Sequence, residues 1–164
     1  MNSSAMAHDN QNPTQTHDGD TAALETAMRE VFEIMLSVQL DSMLDMDPPR
    51  VPDLTALVGI AGQVQGILSI RCEKVTACRM AAKMLGSETV ELDDSAQDAI
   101  GEICNMVAGS FKSKLAKAGE CMLSVPTIIT GTDYQLRLSA DCTRTEMCLG
   151  FEGNPVWVTL DMHI

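Results

Sequence analysis

The stretch Gln97-Asp98-Ala99-Ile100-Gly101-Glu102-Ile103-Cys104-Asn105-Met106-Val107-Ala108-Gly109 carries two helical stripes at once. At about 100° per residue, Ile100, Ile103, Val107 and Phe111 fall within an arc of roughly 80°, which makes an apolar stripe for a core. Asp98, Glu102, Asn105 and Gly109 fall within about 60° on the opposite side. The ends of the stretch are signed as well. Asp93, Asp94 or Ser95 can cap the first turn, while Lys112, Lys114 and Lys117 lie toward the end, before Gly119. Negative charge at the start and positive charge at the end match the helix dipole. A long helix is expected here.

Outward from it, the chain reads as helices and strands. Leu24, Met28, Val31, Met35 and Val38 recur at steps of four and three, predicting a first helix from Thr21. Asp47-Pro48-Pro49-Arg50-Val51-Pro52 then acts as a connector. Two strand-like runs, Leu54 to Ala61 and Gln65 to Arg71, with Gly59, Gly62 and Gly66 around them, predict a tight hairpin. A helix over Glu73 to Leu85 would bury Val75, Cys78, Ala82 and Leu85, with Gly86 as its stop. Val125 to Ile129 reads as one short apolar strand. Another runs from about Thr145 to Phe151, and after the turn at Gly153-Asn154-Pro155 the residues from Val156 to Ile164 alternate apolar and polar. Residues 1–20, rich in Asn, Gln, Thr and Asp, read as a disordered polar tail, and 21–164 as one domain. The fold class is α/β (α+β): two layers, long helices packed on a largely antiparallel sheet. The last strand, Val156 to Ile164, is expected at an edge of that sheet, open to pairing.

Composition narrows the function. The 164 residues carry 11 basic and 23 acidic side chains, a formal charge of -12. That balance argues against nucleic acid and anionic lipid, which need clustered Lys and Arg. No apolar run approaches the roughly 20 residues of a membrane span, and Met1 to Asp20 lacks a secretory signal's basic and apolar regions. Six cysteines with no C-x-x-C pair read as reduced thiols in a cytoplasm. His8 and His17 have nothing nearby to complete a metal site.

The polar face of the long helix is the candidate site. A solvated surface is the plain alternative, but Asn and Gly are poor helix-interior residues, Gly costing about 1 kcal/mol against Ala. Asn105 has no useful proton-transfer pKa. Its amide donates and accepts hydrogen bonds at once, which suits it to orienting a water molecule, as phosphoryl-transfer sites require. The chain has no Walker loop, no H-E-x-x-H motif and no Mg²⁺ cage. If it hydrolyses a phosphate, the metal and the electrophile come from a partner.

Asp98, Glu102 and Asn105 keep a spacing of three residues, then two, and Pro126 follows after 20 intervening residues. In this pattern, and in the hairpin and the Ala81 to Gly86 segment, the sequence resembles the CheC/CheX/FliY family of chemotaxis phosphatases, most closely its CheX branch. No other Asn lies three residues after a Glu, which is similar to the single-site CheX pattern rather than the double-site CheC one. The resemblance implies a substrate: the phosphoaspartate of a CheY-like receiver domain, whose own site holds Mg²⁺ and a lysine, with no cofactor bound by this chain. It implies that Asn105 positions the attacking water and Glu102 pairs with the receiver's lysine. Asp98 and Gly109 would lie in the docking face, and Pro126 would shape the adjoining turn. It also implies a homodimer formed through the sheets. Two rivals stand beside it. One is a non-catalytic module similar to the middle domain of the flagellar switch protein FliM. The other is a thiol sensor at Cys104, which helical geometry turns toward the buried side.

Overall fold

The computed structural model describes residues 14–43, 52–88, 91–115, 120–131, 134 and 141–163. In chain order the elements are α1 (Thr14–Leu36), β1 (Asp41–Ser42), β2 (Leu54–Gly62), β3 (Gly66–Cys72), α2 (Lys74–Leu85), α3 (Asp94–Lys114), β4 (Cys121–Leu123), β5 (Thr127–Thr130), β6 (Cys142–Phe151) and β7 (Asn154–His163). The three helices lie on a seven-stranded antiparallel sheet of order β1-β6-β7-β3-β2-β4, with β5 also pairing β2. This is the expected two-layer α+β class.

Helix ends follow their sequence signals. Asp93 is extended and its carboxylate accepts the Ala96 N–H at 2.9 Å, the cap that opens α3. Gly86 closes α2 in the left-handed region at φ 66, its N–H donating to the Ala82 carbonyl. α1 begins at Thr14, seven residues before the expected Thr21. Residues 1–13 of the polar tail, most of the Pro-rich connector, Lys117 and Gly119 lie outside the described residues.

One packing expectation and one strand boundary are corrected. α2 buries Thr76, Ala77, Met80 and Ala81, whereas Val75 and Leu85 are exposed at 59% and 48%. Its inward face is built on Met80 with the small Thr76, Ala77 and Ala81 around it. The strand expected over Val125 to Ile129 is present as β5, but it starts at Thr127, after Pro126. β4 pairs with Ile60–Gly62 and β5 with Leu54–Leu57, so two short strands share the edge of β2 with a break between them.

The core lies between the helices and one sheet face. Alternate residues of the central strands point into it: Ala56 and Val58 from β2, Leu68 and Ile70 from β3, Val158 and Leu160 from β7. α3 spans the middle of this face with Ile100, Ile103, Val107 and Phe111 buried, as its stripe predicted. α1 closes the far side, where Phe32 meets Phe151 edge to face with ring centres 6.0 Å apart.

β7 is internal, hydrogen-bonded to both β3 and β6, which overturns the expectation of a C-terminal edge. Its alternation is real, yet both faces are buried. Trp157, Thr159 and Asp161 on the outer face are 3%, 3% and 5% exposed. Long cross-strand side chains cover them: Arg71 donates to Thr159 and Glu146, and the Arg144 guanidinium pairs with Asp161 at 2.6 Å. Polar residues thus pair with one another on a covered surface, with the Nε of Arg71 the buried side-chain atom left without a partner among the described residues. Among the described residues, the outer edge of β6 is paired only at Leu149 and Gly150, by β1. No helix among the described residues is long and apolar enough to cross a membrane.

Phe32→Ala removes a fully buried ring from the α1–sheet contact and is expected to cost about 3–5 kcal/mol in urea denaturation. Ile34→Ala, on the exposed side of the same helix, should stay within about 0.5 kcal/mol of the parent.

Candidate functional site on helix α3

α3 is held along both flanks, and the strip between them is left open. On the α1 side, Glu30 accepts hydrogen bonds from the Ser110 hydroxyl at 2.9 Å and the Lys114 ammonium at 2.6 Å. These two donors hold the Glu30 carboxyl below its ordinary pKa. On the sheet side, Gly101 is buried, and a Cβ there would stand 3.3 Å from the Pro126 side chain and 3.5 Å from that of Ile128. Gly101 is therefore the glycine that permits close approach between helix and strand.

The partner surface is a β-bulge. Ile60 faces Leu123, the Ser124 N–H donates to the Gly59 carbonyl, and Leu57 faces Thr127. Val58 is left opposite two residues, Val125 and Pro126. Pro126 has no N–H to give a ladder, and a bulge is where a strand edge tolerates it. Ser124 closes the bulge: its hydroxyl accepts the Gly59 N–H at 2.8 Å and donates to the Val125 carbonyl at 2.9 Å.

Between the flanks lie the four residues read from the spacing. Asp98 and Glu102 are exposed, and Asn105 and Gly109 are half-buried. Asp98, Glu102 and Asn105 share one strip of the helix, and none makes a hydrogen bond or ion pair with another described residue. Nothing lies within 4 Å of where a Cβ on Gly109 would be, so this glycine opens space beside Asn105 instead of serving internal packing. Two carboxylates and an amide, all free to engage a second molecule, sit on a helix whose backbone is fixed from both sides.

The thiol reading fits poorly. Cys104 is buried and its pKa is pushed up to about 12 by loss of solvation, so the nucleophilic thiolate is scarce near neutral pH. None of the six cysteines is in a disulfide. Sequence reading missed one juxtaposition: Cys142 faces His163 across β6 and β7, its sulfur 3.7 Å from both ring nitrogens. Only the strand register reveals it. Among the described residues no group of three or more His, Cys, Asp or Glu side chains could hold a metal ion.

Residues 54–151 match the family model for the chemotaxis phosphatase CheX. The chain belongs to the CheX family. The matched region contains β2 through β6, and so both α3 and the bulge. The CheY-P phosphatase CheX of Thermotoga maritima is 34% identical over 86 residues, covering 51% of this chain and 56% of that protein. The alignment thus spans little more than half the length of the curated relative. Among solved structures, the chemotaxis protein CheX of Vibrio vulnificus has a TM-score of 0.75 at 23% identity, covering 88% of this chain and 96% of that one. The CheX of the CheX–CheY–BeF3–Mg²⁺ complex from Borrelia burgdorferi has a TM-score of 0.74 at 21% identity, covering 87% and 97%. These likenesses carry the fold.

Gly101→Val would drive branched methyls into Pro126 and Ile128. The expected outcome is a loss of about 1–3 kcal/mol in denaturant unfolding, whereas Gly109→Ala, in open space inside the helix, should gain up to about 1 kcal/mol. Cys104 should react with iodoacetamide at pH 8 about a thousandfold more slowly in the folded protein than in urea, as measured by mass spectrometry.

Proposed function

We propose that this protein is a phosphatase for the phosphoaspartate of a CheY-like receiver domain, acting through the open strip of α3. The observation that carries the reading is the alignment of Asp98, Glu102 and Asn105, unengaged by other described residues, on a helix anchored at both flanks. Membership of the CheX family supports it, as does the phosphatase name of the Thermotoga relative.

The chemistry follows from what the strip lacks. It has no nucleophile, no metal cluster among the described residues and no group with a pKa suited to proton transfer at Asn105. What it offers is positioning. The Asn105 carboxamide accepts a hydrogen from water while donating to a phosphoryl oxygen, which holds the water in line with the bond that breaks. The P–O bond to the receiver's aspartyl group cleaves, the aspartate leaves as carboxylate, and inorganic phosphate carries the water's oxygen. Glu102, one helical turn earlier, pairs with the receiver's lysine and fixes the depth of insertion. Asp98 lies a turn earlier still and meets the rim of the receiver's site, and Gly109 leaves clearance for it. Pro126 supports the helix through Gly101. Mg²⁺ belongs to the receiver; that the Borrelia CheX was crystallised with CheY, BeF3 and Mg²⁺ supports this division. The working unit is one domain beginning with α1, in the cytoplasm with its receiver. Two copies pair through the open edge of β6 rather than through β7. Light scattering should then give about twice the 17.7 kDa of one chain, and the single-chain mass would overturn the dimer.

The direct test is the decay of phosphoryl label on each receiver of the host. Wild-type protein should accelerate the decay of at least one, and Asn105→Ala should lose about 100-fold of that acceleration, the scale of a removed transition-state contact. Glu102→Ala should chiefly raise the receiver concentration needed. Binding without acceleration in the wild type would favour the FliM-like module instead.

A further inference from the structure

The bulge beside α3 displays a side chain that neither the fold nor the proposed chemistry uses. Val125 is 81% exposed. Its direction follows from the register. In β2, Ala56, Val58 and Ile60 face the helices, so Ile128 opposite Ala56 and Leu123 opposite Ile60 do the same. The two residues of the bulge stand opposite Val58, and Pro126 touches Gly101 on the helical side. Bulges re-aim side chains in this way. Val125 therefore stands in the bulge opposite Val58, next to the Pro126 that packs on Gly101, the residue before Glu102. Met122 is the instructive contrast. It is 73% exposed on the same edge, but it pairs with Ala61 and points to the opposite face of the sheet.

Val125 is also fixed. Three hydrogen bonds converge on Ser124, one of them to the carbonyl of Val125 itself, and Pro126 on its other side is seated against the helix. An apolar side chain on an already ordered backbone loses little freedom when covered, which is what makes an efficient contact. It is continuous with the site. Gly101 precedes Glu102, and the edge carrying Val125 runs on toward β4, the strand that follows the C-terminal end of α3. The bulge packs on Gly101, one residue before Glu102, so Val125 lies beside the strip that a partner would cover.

We propose that Val125 is an apolar docking contact for the receiver domain, gripping the surface beside the receiver's phosphorylation site while α3 enters it. The inference rests on the receiver reading given above. It is tested by titrating receivers loaded with beryllofluoride and Mg²⁺ against wild type, Val125→Asp, Met122→Asp and Asn105→Ala, alongside the phosphoryl-decay assay. Val125→Asp should weaken binding and raise the half-saturating receiver concentration by about tenfold, while lowering the maximal rate far less. Met122→Asp should match wild type in both assays, and all variants should melt with the wild type. Asn105→Ala should keep its binding and lose its rate. If wild type accelerates decay and Val125→Asp behaves like Met122→Asp, the docking role fails and the phosphatase reading stands. If wild type binds a receiver without accelerating decay and Val125→Asp weakens that binding, the phosphatase reading fails and the docking role stands. A loss of self-association in Val125→Asp with receiver binding unchanged would assign the contact to a second copy and overturn the proposal, as would binding to no receiver at all.

Discussion

A proline cannot contribute an N–H to a sheet, and a glycine has no side chain to hold a helix away from one. Pro126 and Gly101 meet where both properties are needed. The proline sits in a bulge that breaks the edge of β2 into the partners β4 and β5, and the missing Cβ on α3 lets the helix settle onto that break. Depth and rotation of α3 are then set. With Ile103 and Val107 in the core, the strip bearing Asp98, Glu102 and Asn105 has one direction left to face. Glu30 on α1 secures the other flank through Ser110 and Lys114.

This arrangement meets the central demand on a site that acts by positioning alone. Nothing in the strip forms a bond with substrate, so its contribution depends on how little the amide moves once a partner arrives. A rigid helix serves this better than a loop would, and clamping both flanks limits rocking as well as sliding. The burial of Cys104 beside the strip has the same effect: the residue between Glu102 and Asn105 is committed to packing, and its thiol to the neutral form.

Much of this was legible in sequence because it rests on local periodicity. The stripe of α3, its Asp93 cap, the Gly86 stop and the β2–β3 hairpin all depend on neighbours a few residues away. The failures share a different cause. Val75 and Leu85 looked like the buried face of α2, but the choice of face depends on the long-range packing of the helix, and Thr76, Ala77, Met80 and Ala81 take it. Pro126 within an apolar run was a signal of interruption, yet only pairing with β2 shows that the interruption is a bulge. The alternation of β7 suggested one wet face. It could not reveal that Arg71 and Arg144, from two other strands, lie across it. That the helix–strand contact falls on Gly101 was not read from the sequence, because it depends on where the bulge meets α3.

The internal position of β7 also governs the order in which this fold can be completed. β3 gains one neighbour at once, from the hairpin, but its second edge waits for a strand made after every other element of the sheet. Until then the β1–β6 pair has no strand linking it to β3. Closure of the sheet is thus a long-range event, of the kind that slows folding through loop entropy. During synthesis, β3 must carry an unsatisfied edge for the whole time that α2, α3 and three further strands are being made. That interval is where a nascent chain of this fold is most exposed to mispairing, and where a chaperone would have most to shield.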